Sequence, residues 1–219
     1  MSPWLFCRRG VTLVELVLVI VVSAILFLVA PVLLFHGVKT LVFLPKALAV
    51  NNVATEVLHQ TIEGGFSTLA GQPTVQGLRF AVRRSGTEPA LWLAEASRIG
   101  FRTSDNQDVL LWLDDETTLT PEVDVLKRSL VTSPGCAPSI VSTEIIPYHA
   151  AGTTRILPIV RLFRYYDQTG LEVNNPSSCP PPTTVRRVDM AFTAQTGNGN
   201  FDQGNTREDV TSSVAIRVP

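Results

Sequence analysis

The stretch "RRGVTLVELVLVIVVSAILFLVA", Arg8 to Ala30, opens with a basic pair and a glycine and continues as apolar sequence broken by one acid, Glu15. From Leu16 to Phe35, twenty consecutive residues carry no charge, and only Ser23 and Pro31 interrupt them. At about 1.5 Å per residue such a run crosses a hydrocarbon core of about 30 Å. One membrane-spanning helix is predicted. An ionised carboxylate inside the apolar part of such a helix costs roughly 2.5 kcal/mol or more. Glu15 therefore needs a partner.

The chain of 219 residues has room for one ordinary domain beside the anchor, and its mean hydropathy of +0.23 is raised largely by this segment. Arg8 and Arg9 lie immediately before the span, whereas Lys39 and Lys46 follow at a greater distance. The positive-inside bias then places the N-terminus in the cytoplasm and the C-terminal bulk outside it. A net charge of -1 excludes a general polyanion binder, so nucleic acid is not expected as a partner. Cys7 precedes the span, while Cys136 and Cys179 both sit in proline-rich, turn-like sequence of the exported part. They are a candidate disulfide, whose closure of a long loop stabilises by roughly 2–4 kcal/mol where geometry permits; two unpaired thiols are the alternative. Two cysteines without C-x-x-C spacing do not build a zinc site.

A secretory signal has a shorter apolar stretch, of about 7–15 residues, with a small-x-small cleavage site close behind it. Ala47-Leu48-Ala49 has that form but follows the apolar run at a distance, after Lys39 and Pro45. Processing at the other end of the segment fits better. The residues Gly10, Thr12, Leu13, Val14, Glu15 and Leu16, with the apolar helix behind them, resemble the class III signal of type IV prepilins and type II secretion pseudopilins. Val11 stands where that family usually has Phe. The resemblance implies cleavage between Gly10 and Val11 by prepilin peptidase and N-methylation of Val11. It also implies assembly charge pairing through Glu15, which would meet the N-terminus of a neighbouring subunit.

Elementary electrostatics agrees. Cleavage would expose an α-amine, with an ordinary pKa of about 8, one helical turn before Glu15, and the first turn carries the positive end of the helix dipole. Both stabilise a carboxylate.

Further along, Pro31 removes one helical hydrogen bond and permits a kink, and Pro45 marks a second break. Leu48, Val50, Val53, Ala54, Val57, Leu58 and Ile62 then recur at helical spacing, and this amphipathic half-helix ends at Gly64-Gly65. Beyond it, short apolar or alternating runs separated by turn residues read as antiparallel strands at 77–83, 91–94, 99–103, 109–114, 123–130, 156–166, 185–195 and 212–218. The expected class is α+β, pilin-like: a long N-terminal membrane-spanning helix packed on an antiparallel β-sheet head. Its expected organisation is a leader over 1–10, a helix over 11–64 (transmembrane 16–35, amphipathic 46–63) and an exported head over 65–219. The last strands, with "FRYYDQTG", "VRRVDMAFTAQT" and "SSVAIRV", resemble the tails of larger minor pilins and J-type minor pseudopilins.

No catalytic constellation is visible. "GGFSTLAG" lacks the spacing of a nucleophile elbow, and His36, His59 and His149 are isolated. No cofactor is expected. Calcium has two weak candidates, the group Asp114, Asp115 and Glu116, read as a solvated hairpin tip, and the turn containing Asn198, Asn200 and Asp202. Arg83-Arg84 and Arg186-Arg187 read as exposed strand-edge arginines. The expected function is that of a structural minor subunit, a minor pilin or pseudopilin, that primes or caps a type IV pilus or type II secretion filament. The alternatives are a tip adhesin or DNA-uptake pilin, with a membrane-anchored enzyme last. Expected partners are prepilin peptidase, other pilin or pseudopilin subunits reached through the N-terminal helix, and an inner-membrane assembly platform. The expected location is the inner membrane, single pass with a periplasmic head, and then the filament.

Overall fold

The computed structural model describes residues 12–67, 71, 74–82, 90–116, 123–146, 154–173, 184–196 and 206–216. The chain divides into two compact units, Met1–Leu44 and Pro45–Pro219. The class is α+β, and among the described residues helix α1 (Leu13–Ile62) is followed by ten strands. These are β1 (Gly64–Phe66), β2 (Thr74–Gln76), β3 (Leu91–Ala94), β4 (Arg98–Arg102), β5 (Asp108–Glu116), β6 (Val123–Ser133), β7 (Ser139–Ile146), β8 (Thr154–Tyr166), β9 (Arg187–Thr196) and β10 (Arg207–Ala215).

Pro31 and Pro45 do not end α1, which runs as one helix of 50 residues. The expected break at Pro45 is thereby corrected; a proline interrupts one hydrogen bond of the ladder, and the turns on either side retain theirs. In the second unit, Val50, Ala54, Val57 and Thr61 are buried at helical spacing, with Val53, Leu58 and Ile62 packed alongside. They share one core with Ile99, Phe101, Leu111, Leu126, Phe163 and Phe192 from the strands. Each such side chain contributes about 1.5–3 kcal/mol on burial.

Among the described residues the strands form three antiparallel sheets: a short β1-β2 pair, a five-stranded meander β3-β4-β5-β6-β7, and a three-stranded sheet ordered β10-β9-β8. Period-two alternation decides the faces of the meander. Val109, Leu111 and Leu113 of β5 turn to the core side, while Leu110 and Trp112 form a second apolar cluster with Trp92, Leu93 and Val131. Gly100 leaves room there for the Trp92 ring, which a Cβ, 2.6 Å away, would force to shift. The two larger sheets are tied together at the β3–β4 turn. Phe163 N–H donates to the Ala96 carbonyl at 3.0 Å, and the buried Tyr165 hydroxyl donates to the Glu95 carbonyl at 2.8 Å. Burial pushes the Tyr165 phenol well above its ordinary pKa.

Several strand expectations need correction. The predicted strand 77–83 opens instead as a 3-10 turn, Leu78–Phe80, after the short β2. Strand β7 was not anticipated: its apolar residues Ile140 and Val141 are exposed while Glu144 is buried, which scrambles the alternation a strand normally shows. β10 begins earlier than the predicted 212–218, because its first half is the polar "REDVT".

The helix stops where the backbone must turn left-handed. Gly64 has φ of +87°, and a Cβ there would meet the Val75 carbonyl oxygen and, at 2.6 Å, the Gly77 nitrogen. Gly64→Ala is expected to cost about 1–2 kcal/mol for the left-handed backbone, plus a further 1–3 or so for overpacking against main chain. Urea unfolding of the detergent-solubilised chain, followed by tryptophan fluorescence, measures this; a change below about 0.5 kcal/mol would show that the turn can relax.

Candidate functional site

Helix α1 starts at Leu13, and the residue before it is Thr12. Thr12 N–H donates to Glu15 Oε2 at 2.9 Å and the Thr12 hydroxyl donates to the same oxygen at 3.1 Å. In return the Glu15 N–H donates to Thr12 Oγ1 at 3.3 Å. This is a capping box, in which a threonine and a glutamate three residues later satisfy donors that the helix end leaves without partners. Leu16 N–H then donates to the Thr12 carbonyl at 3.1 Å, the first bond of the helical ladder.

The box gives Glu15 a local partner that the spacing already held: Thr12-x-x-Glu15 is the sequence signature of a capped N-terminus. It uses one carboxylate oxygen, and every group in it lies C-terminal to the Gly10–Val11 bond. The peptide that supplies the Thr12 N–H belongs to Val11 and Thr12, so scission before Val11 leaves the box intact. An amine on Val11 would stand one residue from the cap.

Behind the cap the helix is apolar over a long distance. Its best window of eighteen residues has a mean hydropathy of 3.2, none of it buried within the chain, and the helix is long and apolar enough to cross a membrane. Exposed apolar residues also continue beyond Phe35, as Val38, Leu41, Leu44 and Leu48.

Residues 5–31 match the prokaryotic N-terminal methylation motif. This motif is the class III signal of type IV pilins and pseudopilins. It indicates a type IV pilin-like or pseudopilin precursor, and with the apolar helix it indicates membrane anchoring. Families bearing the methylation motif are structural rather than enzymatic. No curated protein and no solved structure matches the chain.

Gly10 and Val11, the expected cleavage and methylation residues, lie outside the described residues, which begin at Thr12. Of the other candidates, Cys136 lies exposed in the turn between β6 and β7, and Cys179 is outside the described residues. Asp114, Asp115 and Glu116 are the last residues of β5 rather than a hairpin tip, and Asp114 Oδ2 accepts from Lys127 Nζ at 2.7 Å. Strand pairing continues through Glu116 and Val123. Asn198, Asn200 and Asp202 fall outside the described residues, as do His149, Arg83 and Arg84. Among the described residues no group of three or more His, Cys, Asp or Glu side chains could hold a metal. Arg187 is not on an edge: it opens the central strand β9, stacks on the Tyr166 ring at 4.0 Å and pairs with Asp189 at 3.1 Å.

Composition and spacing also passed over Arg128. It is 1 % exposed, on the core side of β6 between Leu126 and Leu130. Its Nε donates to Glu144 Oε1 at 2.7 Å and one terminal nitrogen donates to the Phe66 carbonyl at 3.1 Å. The Ser67 hydroxyl also donates to Glu144, at 3.0 Å. Alternation along "VDVLKRSLV" carries the signal, since it sends Lys127 outward and Arg128 inward.

Proposed function

We propose that this chain is a structural minor subunit, a minor pilin or pseudopilin, of a type IV pilus or type II secretion filament. Prepilin peptidase cuts after Gly10, Val11 becomes the N-methylated terminus, and the subunit helps to prime or cap assembly from the inner membrane. The observation that carries this reading is the methylation motif opening, through a capping box, into an exposed apolar helix. At about 1.5 Å per residue the exposed apolar residues that continue past Phe35, namely Val38, Leu41, Leu44 and Leu48, lie beyond what a hydrocarbon core of about 30 Å needs. The excess is suited to cover by helices of other subunits. Methylation keeps the Val11 amine cationic, and the Glu15 oxygen that the cap leaves over can accept from it or from a neighbour's.

The head faces the periplasm in this reading, an oxidising compartment in which Cys136 and Cys179 pair. No cofactor takes part.

Mass spectrometry of protein purified from membranes of cells that contain prepilin peptidase tests both statements. The expected mature chain begins at an N-methylated Val11, and a non-reduced digest yields a Cys136–Cys179 cross-linked peptide. An intact leader, or a start at Val50, would overturn the assignment. Free thiols at both cysteines would remove the disulfide alone.

A further inference from the structure

The solvent side of the three-stranded sheet carries a groove of about 400 Å³, remote from the N-terminal motif in sequence. Its cause lies in the strand register. Pro158 of β8 is opposite Phe192 and Phe163 is opposite Met190, so the four residues 159–162 bulge against the single residue Ala191. Proline cannot donate to the ladder, and strands bulge where a ladder bond is lost. The backbone of β8 leaves its neighbour there, and the small Ala191 forms part of the lining.

The chemistry of the walls is specific. Arg164, Asp189 and Ser213 lie in one cross-strand row, with Thr211 opposite Ala191 in the next. Arg164 is half-buried, lines the groove, and among the described residues has neither a hydrogen-bond nor an ion-pair partner. The Asp189 beside it is engaged by Arg187, and that guanidinium is in turn held over Tyr166. A planar guanidinium with unused donors is matched by a carboxylate, which it can bind through two parallel hydrogen bonds. The hydroxyls of Thr211 and Ser213 and the Asp189 carboxylate add donors and acceptors suited to a polyhydroxylated body. At the small end of ligand-pocket volumes, the groove suits about one sugar ring.

We infer that this groove binds a carboxylate-bearing sugar residue, a uronate, with its carboxylate on Arg164 and its hydroxyls on Asp189, Thr211 and Ser213. The site is separate from the assembly signal and needs no filament to form. Isothermal titration of the full-length chain in detergent, at moderate salt, with a trimer of galacturonate tests it. Saturable binding is expected, weakened at least about tenfold by Arg164→Gln. Ala191→Leu, which fills the groove, is expected to weaken it similarly, whereas Arg161→Gln on the neighbouring bulge leaves it unchanged. A galactose trimer and a glutamate tripeptide are expected to bind at least about tenfold more weakly than the uronate. No saturable uronate binding, equal binding by the neutral sugar, or a preference for the acidic peptide would overturn the inference. Retention of binding in Arg164→Gln would do the same. Should Arg164→Gln fail to fold, Ala191→Leu decides alone.

Discussion

Arg128→Ala is expected to destabilise the folded head by about 3–5 kcal/mol, the range found when one member of a buried ion pair is removed. Glu144, with 4 % of its side chain exposed, would keep the Ser67 hydroxyl but lose the guanidinium that offsets its charge. The Phe66 carbonyl, at the first strand after α1, would lose its donor as well. Because Arg128 also approaches the Gln60 carbonyl near the end of the helix, at 3.5 Å, the defect should centre on the helix-to-strand junction. Urea unfolding of the solubilised chain reports the total, and hydrogen exchange at residues 60–67 reports the place. Replacing both partners by apolar residues, Arg128→Met with Glu144→Leu, should recover most of the loss, since the desolvation of both charges disappears together. A single-variant loss below about 1 kcal/mol would mean that water reaches the pair.

The second large effect concerns assembly. Glu15→Ala is expected to leave membrane insertion intact and to reduce incorporation into a filament at least about tenfold, since it removes both the cap and the charge. Glu15→Gln separates the two roles. Glutamine at the same position still accepts from the Thr12 N–H and so preserves the capping box, but it carries no charge. If assembly rests on charge pairing with an N-terminal amine, Glu15→Gln assembles as poorly as Glu15→Ala. Assembly of Glu15→Gln at the wild-type level would limit Glu15 to a helix cap. Immunoblotting of sheared filament fractions against membrane fractions reads the ratio.

Much of this chain could be read directly. A run without charge from Leu16 to Phe35 is long enough to be a membrane helix whatever follows, because no neighbour is needed to specify an i to i−4 ladder. Thr12 and Glu15 are likewise local, and their three-residue spacing encodes the cap. β9 announces itself through alternation, since a half-buried strand sorts its side chains by face, and β3 and β5 do so as short apolar runs bounded by turn residues. β7 fails that test for a tertiary reason. Glu144 is turned inward, and it is held there by Arg128 on an adjacent strand and by Ser67, seventy-seven residues away.

The sequence by itself determined the anchor, its capped start, the processing signal and the α+β class, all of which rest on contacts within a few residues or on composition. Only the tertiary structure decided that Arg128 and Glu144 face each other beneath the helix end and that Arg187 is held inside its sheet. It also decided that β8 parts from β9 to leave a groove lined by Arg164. The physical reason is common to all three: the energy of a buried or half-buried charge depends on which distant groups the fold brings within hydrogen-bond reach, and sequence spacing does not record that distance.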